Sequence, residues 1–450
     1  MTPGPYVTTT APEEPAAPET HAPDATAMAP AKPGVMEYGF WIFILVAVGR
    51  IGEFIPGMAH VPVAKAIIAF AILALFARWK RLPGVTPSVR PMVKTARWLL
   101  VVTLLLCPIT IWRGATLEFL LQVLPTLLAI TILGYMMCSS WRFVRSTLLT
   151  FVTAAAVLAA IALATSRHGD RAATDTMYDT NDLAYVLVTA LPLAFAFFIS
   201  ARTKLKRITY AAVNAMLLAC ILLTQSRGGL MALVTVAILL LFLQLRAPTL
   251  SGPSGVPKPK RRFLLLVGAL CIGALVWTQL PQGTRDRLAT VTDLGDDYNL
   301  DPNNNRSRGQ IWTRGIQAAI ARPIGYGPAT YGMVDLRFGG SMQAPHNSFI
   351  ETLVELGVVG LILFFRMYWV CWRSLGQSRT KLLASPDASA KWSEQVLFAR
   401  TLQCSLAGNA VAGFFLSMAW STTLWLLLAL SMALIARIDL DWGRPAGEPA

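Results

Sequence analysis

Charged residues are scarce in this chain: 14% of its 450 residues, against 55% hydrophobic, and acids are the scarcer sign, with 24 Asp and Glu to 39 Lys and Arg. An ordinary soluble domain carries about a quarter charged residues, so a water-soluble globular class is excluded. The six cysteines (Cys107, Cys138, Cys220, Cys271, Cys371, Cys404) lie in or beside apolar runs with no CxxC spacing, which excludes a disulfide framework and a zinc ribbon. The four histidines, His21, His60, His168 and His346, are too scattered to build a metal site. Period-two alternation is missing from runs such as LVTVAILLLFLQL, so a β-barrel is excluded as well. The N-terminus lacks a basic start followed by an apolar stretch and a small-residue cleavage site, so no signal peptide is expected.

What is present is a succession of apolar runs near 38–56, 61–77, 98–112, 117–138, 143–165, 183–200, 208–224, 229–245, 263–280, 348–370, 397–418 and 421–437. A helical span takes about 20 mainly apolar residues, so the expectation is an all-α polytopic membrane protein of about twelve transmembrane helices. Residues 1–36, rich in Pro, Ala and Thr, read as a disordered tail. Residues 37–450 read as one transmembrane helical domain. Net charge is +15 with pI near 9.9, and the positive-inside rule accounts for it better than nucleic acid does. The connectors holding Arg78 to Arg97, Arg142 and Arg145, Arg202 to Arg207, Lys258 to Arg262, and Arg373 to Lys381 fall on one side. That side is the cytoplasm, which puts both termini there.

The opposite side receives one long segment, 281–347, with room for an extramembrane subdomain. Within it Gly309 to Ala321 places Ile311, Trp312, Gly315, Ile316, Ala319 and Ile320 on one face, the pattern of an amphipathic helix. Arg322-Pro323 ends that helix and Gly325-Tyr326-Gly327-Pro328 makes a turn.

Polar residues at membrane depth gather at the outer ends of spans. Thr224-Gln225-Ser226-Arg227-Gly228-Gly229 interrupts two apolar runs; an arginine at the bilayer centre costs about 3 kcal/mol, so Arg227 either snorkels from a turn or faces a polar site. Arg306 and Arg308 flank Ser307 ahead of the amphipathic helix. They are either a solvated charge run or, at a helix N-terminus where backbone N–H groups favour an anion, a phosphate cradle. His346 opens the tenth span, where the helix dipole favours a neutral imidazole able to act as a base; the competing reading is a packing or capping residue. Asn347, Glu351 and Glu355 share one face behind it. Asp179-Thr180-Asn181-Asp182 opens the sixth span as an N-cap. Arg50 and Glu53 are either an intramembrane ion pair, which their spacing of three residues favours, or part of the site. The acids Asp293, Asp296, Asp297 and Asp301 lack the spacing of a calcium loop and read as solvated.

The order of these motifs resembles the O-antigen ligase and polymerase family over about residues 207–365, through SRGGL, SRGQIW, PIGYG and HNSFIETLVELGVVG, with DTNDLAYVL as a further family-like position. The resemblance implies a metal-independent, inverting glycosyltransferase, with no cofactor, of the bacterial inner membrane. It would move a glycan from undecaprenyl pyrophosphate to an acceptor hydroxyl at the periplasmic face, and the loop 281–347 would be periplasmic. It also implies that Arg227 and Arg308 contact the donor pyrophosphate and that His346 deprotonates the acceptor, with Arg306, Asn347, Glu351, Asn181, Asp182 and Arg50 as supporting candidates. Arg306, two residues from Arg308, leaves the second arginine ambiguous. The acceptor stays open among lipid A core (ligase), a growing glycan (polymerase) and protein hydroxyls. A different class, a transporter of lipid-linked glycan, predicts charges near mid-membrane and repeat symmetry.

Overall fold

A computed structural model describes residues 33–50, 84–165, 179–245, 304–384 and 390–442, with isolated positions between them. The expected spans 61–77 and 263–280 and most of the expected tail 1–36 lie outside the described residues, as do Glu53, Asp293, Asp296 and Asp297. The described elements are α1 (Val35–Ala47), α2 (Arg90–Leu106), α3 (Arg113–Glu118), α4 (Leu124–Met136), α5 (Trp141–Thr165), α6 (Thr180–Ser200), α7 (Lys204–Leu223), α8 (Arg227–Leu245), α9 (Arg308–Ala321), α10 (Tyr331–Arg337), α11 (Ser348–Leu383), α12 (Ala390–Gly413) and α13 (Thr422–Trp442), with no strand among the described residues. The protein is an all-α polytopic membrane protein: 7 of the described helices are long and apolar enough to cross a bilayer, and Val35–Ala47 and Arg227–Leu243 are shorter apolar helices.

The most deeply buried of the long apolar helices lies at the centre. In α13 the run from Thr423 to Ile438 is buried without interruption, packed against α4, α11, α12 and α5. It carries Arg437, 1% exposed, whose guanidinium donates to Cys138 O (3.3 Å) and Ser139 O (2.8 Å) and pairs with Asp441. The cation thereby satisfies carbonyls left over at the end of the α4 segment, where a helix dipole also favours it. Between α3 and α4 a π-helical turn covers Phe119–Val123, next to Pro125, which cannot donate to the carbonyl four residues back, so the ladder shifts register there.

The α12 helix buries an unusual number of polar residues, Gln395, Arg400, Thr401, Gln403, Ser405 and Asn409, beside apolar ones such as Phe398 and Leu402. Helices in lipid gain no hydrophobic drive from packing on one another, so such groups act as ties. Tyr368 donates to Asn409 Oδ1 at 2.8 Å, and Asn409 Nδ2 donates to Thr189 Oγ1 at 3.1 Å. That chain joins α11, α12 and α6.

Expected as one straight span, α11 is instead bent at Gly357, where φ is +69°. Val354 O accepts from Tyr326 N (3.0 Å), Glu355 O from Gly327 N (2.9 Å), and Val358 N donates to Pro323 O (2.9 Å). The turn 323–327 thus replaces the helix's own ladder at the bend. A Cβ on Gly357 would lie 2.3 Å from Pro323 O, so both the left-handed backbone and the close approach require glycine.

The segment 304–347 together with the start of α11 carries a small core of Ile311, Ala318, Tyr326, Tyr331, Val334 and Val354. Helix α9 begins one residue earlier than the expected Gly309, with Ser307 as its N-cap, accepting from Gln310 N at 3.3 Å. The expected face is corrected: Ile311, Arg314, Gly315, Ala318 and Ala319 are buried, whereas Ile316 and Ile320 are 47% and 73% exposed. The helix is rotated because Arg314 turns inward. Its Nε donates to Asp335 Oδ1 (2.7 Å) and its Nη atoms to Asn305 Oδ1 (2.6 Å) and Asn305 O (3.0 Å), which converts a charged position into a core one.

Candidate active site

The beginnings of α6, α8, α9 and α11 converge, and each is shaped by a polar motif in the sequence. Asp179 caps α6, its Oδ1 accepting from Asn181 N (2.7 Å) and Asp182 N (2.8 Å). At the start of α8, Ser226 Oγ accepts from Gly229 N at 3.1 Å. Asn347 caps α11, its Oδ1 accepting from Phe349 N (2.9 Å) and Ile350 N (3.0 Å). Small residues let these ends meet: a Cβ on Gly229 would lie 2.6 Å from Ala184 Cβ, and one on Gly228 2.8 Å from Phe415 Cβ.

From Phe415 the packing continues to His346. Phe414 and Phe415 are in edge contact, and Trp312 meets Phe414 edge-on at 5.5 Å. The Trp312 Nε1 donates to Pro345 O at 2.7 Å, holding the residue before His346. Ser348 Oγ, just after it, donates to Leu416 O (2.7 Å) and accepts from Met418 N (2.8 Å). His346 is therefore anchored on both sides.

His346 lies in the left-handed region at φ +47°, as do Arg50 (+48°) and Gln225 (+53°). Non-glycine residues there are strained by about 1–2 kcal/mol, and such strain gathers at functional sites. Burial, and after it the Arg308 guanidinium, hold His346 below its ordinary value of 6.5, while Asp179 pulls the other way. The imidazole is thus set between a cation and a carboxylate.

The structure brings Arg308, His346 and Asp179 into electrostatic reach, and likewise Arg50 and Asp182. Arg227 is half-buried as the first residue of α8. Arg306 has an exposed side chain, its backbone N–H donating to Asn304 Oδ1 at 2.9 Å, and is not among the charges acting on His346. Asn181 is half-buried in the first turn of α6. Glu355 Oε1 accepts from Tyr331 N at 3.2 Å, so this carboxylate ties α11 to α10. Asn347 is fully buried, yet its Nδ2 has no hydrogen-bond partner; Glu351 Oε2 has none either. Among the described residues, no group of three His, Cys, Asp or Glu side chains could hold a metal ion.

Sequence reasoning missed the charge of Asp179 beside His346 and the buried pair of Arg314 and Asp335. Asp179 is legible as a cap from its spacing to the α6 start, but nothing local links it to a histidine 167 residues later in the chain.

Fold and site together define a multi-pass helical membrane protein in which cations and carboxylates, Arg308 and Asp179 among them, gather with the His346 imidazole where four helices begin. Residues 211–365 match the family model described as O-antigen ligase, which supports that family for this chain and a glycan transferase of the ligase or polymerase type. The matched segment contains Arg227, Arg308 and His346. No curated protein matches the chain.

Proposed function

We propose that the protein transfers a glycan from undecaprenyl pyrophosphate to an acceptor hydroxyl at the periplasmic face of the inner membrane, inverting the anomeric centre without a metal. The acceptor oxygen attacks the anomeric carbon as the bond to the pyrophosphate oxygen breaks, and the hydroxyl proton passes to the His346 imidazole. Undecaprenyl pyrophosphate leaves with its charge met by the Arg227 and Arg308 guanidiniums. The observation that carries this reading is the setting of His346: its pKa is held down by burial and Arg308, which keeps the base unprotonated at neutral pH. The same arginine would bind the donor, so the base and leaving-group contacts meet in one place. Arg308 is favoured over Arg306 for this role because its charge acts on His346. The orphaned Nδ2 of Asn347 supplies a buried donor next to the base. Arg50, Asn181, Asp182 and Glu351 are second-rank supporting candidates.

The test uses purified full-length protein with an undecaprenyl-pyrophosphate glycan and three acceptors: lipid A core, a glycan chain and a hydroxyl-bearing protein. Transfer to one acceptor is expected in the wild type and is lost in His346→Ala and Arg227→Ala. Movement of the lipid across liposomes with no transfer to any acceptor would sink the enzyme reading in favour of a transporter. Transfer that survives both substitutions would overturn the site.

A further inference from the structure

A second group of basic residues lies at the other end of α11, 31 residues beyond Ser348, or roughly 45 Å of helix rise. A span needs about 20 residues, so Arg379 falls at or past the headgroup level on the side away from His346. Its Nη1 donates to Gln403 Oε1 at 3.2 Å, and Gln403 Nε2 donates to Trp372 O at 2.9 Å. Both ends of the amide are used, and Arg379 is fixed in direction.

Arg400, one turn from Gln403 on α12, is only 7% exposed, and its Nε has no hydrogen-bond partner. It lies within electrostatic reach of Arg379. A guanidinium stays charged in a protein, and a buried charge without a counter-charge is costly, the more so beside a second cation. The acids described on α12 and α13 are each paired with another cation: Glu394 with Arg145, Asp439 with Lys381, and Asp441 with Arg437.

We propose that Arg379 and Arg400 form a binding site for a phosphate group, with Gln403 aiming the first guanidinium. Two planar forks match the oxygens of a phosphate, which can accept from both at once and neutralise their repulsion. The phosphate comes either from an anionic phospholipid headgroup or from solution, and the site is separate from the cleft around His346.

The test places full-length protein in phosphatidylcholine nanodiscs, with and without millimolar inorganic phosphate at matched ionic strength, and in phosphatidylglycerol nanodiscs. The melting temperature is followed by intrinsic fluorescence. One of the two additions is expected to stabilise the wild type: phosphatidylglycerol identifies the headgroup and phosphate the soluble ion. Arg400→Gln should weaken the response about tenfold in midpoint concentration, the loss of one charge-assisted pair. Arg373→Gln, at an exposed position on the same helix, should leave it unchanged. If Arg400→Gln does not fold, Arg379→Gln is read in its place. A wild type indifferent to both additions, or an equal response in Arg400→Gln, Arg379→Gln and Arg373→Gln, overturns the proposal.

Discussion

Replacing Asp335 by alanine isolates the element that shapes the approach to His346. The Asp335 side chain is fully buried, accepting from Arg314 Nε at 2.7 Å, Ser341 N at 3.1 Å and Gln343 N at 3.0 Å. Removing it leaves Arg314, 5% exposed, without its carboxylate and two N–H groups without acceptors. Breaking a buried pair from one side costs about 3–5 kcal/mol, and the two bonds Arg314 keeps to Asn305 put the value near the lower end. Because the lost contacts all fall within 305–343, the effect is local. About 3 kcal/mol then corresponds to an opening equilibrium raised about a hundredfold. Hydrogen–deuterium exchange of peptides covering 338–346 should accelerate by that factor, with peptides of α13 unchanged. Asp335→Asn retains one oxygen for N–H groups and should show a smaller increase. Pairing Asp335→Leu with Arg314→Met removes the stranded charge and should recover part of the protection. Unchanged exchange over 338–346 in Asp335→Ala would refute the claim that this carboxylate organises the segment.

The remaining predictions concern the cleft and the bend. If neutral His346 is the base, the acid limb of kcat/KM lies below pH 6.5; Arg308→Gln should move it to higher pH and Asp179→Asn to lower pH, because they remove opposite influences on His346. Asn still caps a helix, so the Asp179→Asn shift should come without loss of α6, as read by melting temperature. Gly357→Ala forces a Cβ to within 2.3 Å of Pro323 O at a left-handed position, and should lower the yield of folded protein in detergent by size-exclusion chromatography. Trp312→Phe keeps the ring contact with Phe414 but loses the 2.7 Å bond to Pro345 O. That bond contributes about 1 kcal/mol, so kcat should fall several-fold with KM for donor unchanged in steady-state assays.

Elements with a strong local signal were legible in the sequence. Outside the two expected spans that lie beyond the described residues and the second half of the run 38–56, each expected apolar run coincides in the main with described helix, because a 20-residue apolar stretch in lipid has few alternatives to a helix. The cap at Asp179 follows from residue type and position. Legibility ended where a residue's partner is remote. Arg314 turned inward because Asp335 waits 21 residues on, so the buried stripe of α9 departs from the one its apolar residues define. The bend at Gly357 was hidden inside an apolar run, since what opens the ladder is the turn 323–327. In the cleft, Arg227, Arg308 and His346 could be singled out, but the choice of Arg308 over Arg306 required knowing which side chain turns toward the imidazole.

The bend divides α11 into two mechanical parts. Residues 348–356, carrying the Asn347 cap, Glu351 and Glu355, are bonded to the segment 304–347 through Tyr326, Gly327 and Tyr331. The longer part after Gly357 is bonded into the bundle through Tyr368 and Gln403. Because Val358, past the glycine, also donates to Pro323 O at 2.9 Å, the turn 323–327 holds both parts across the bend. Movement of either part is thereby passed to the turn 323–327 and, through Tyr326, whose hydroxyl donates to Ala318 O at 3.2 Å, to the helix that begins at Arg308.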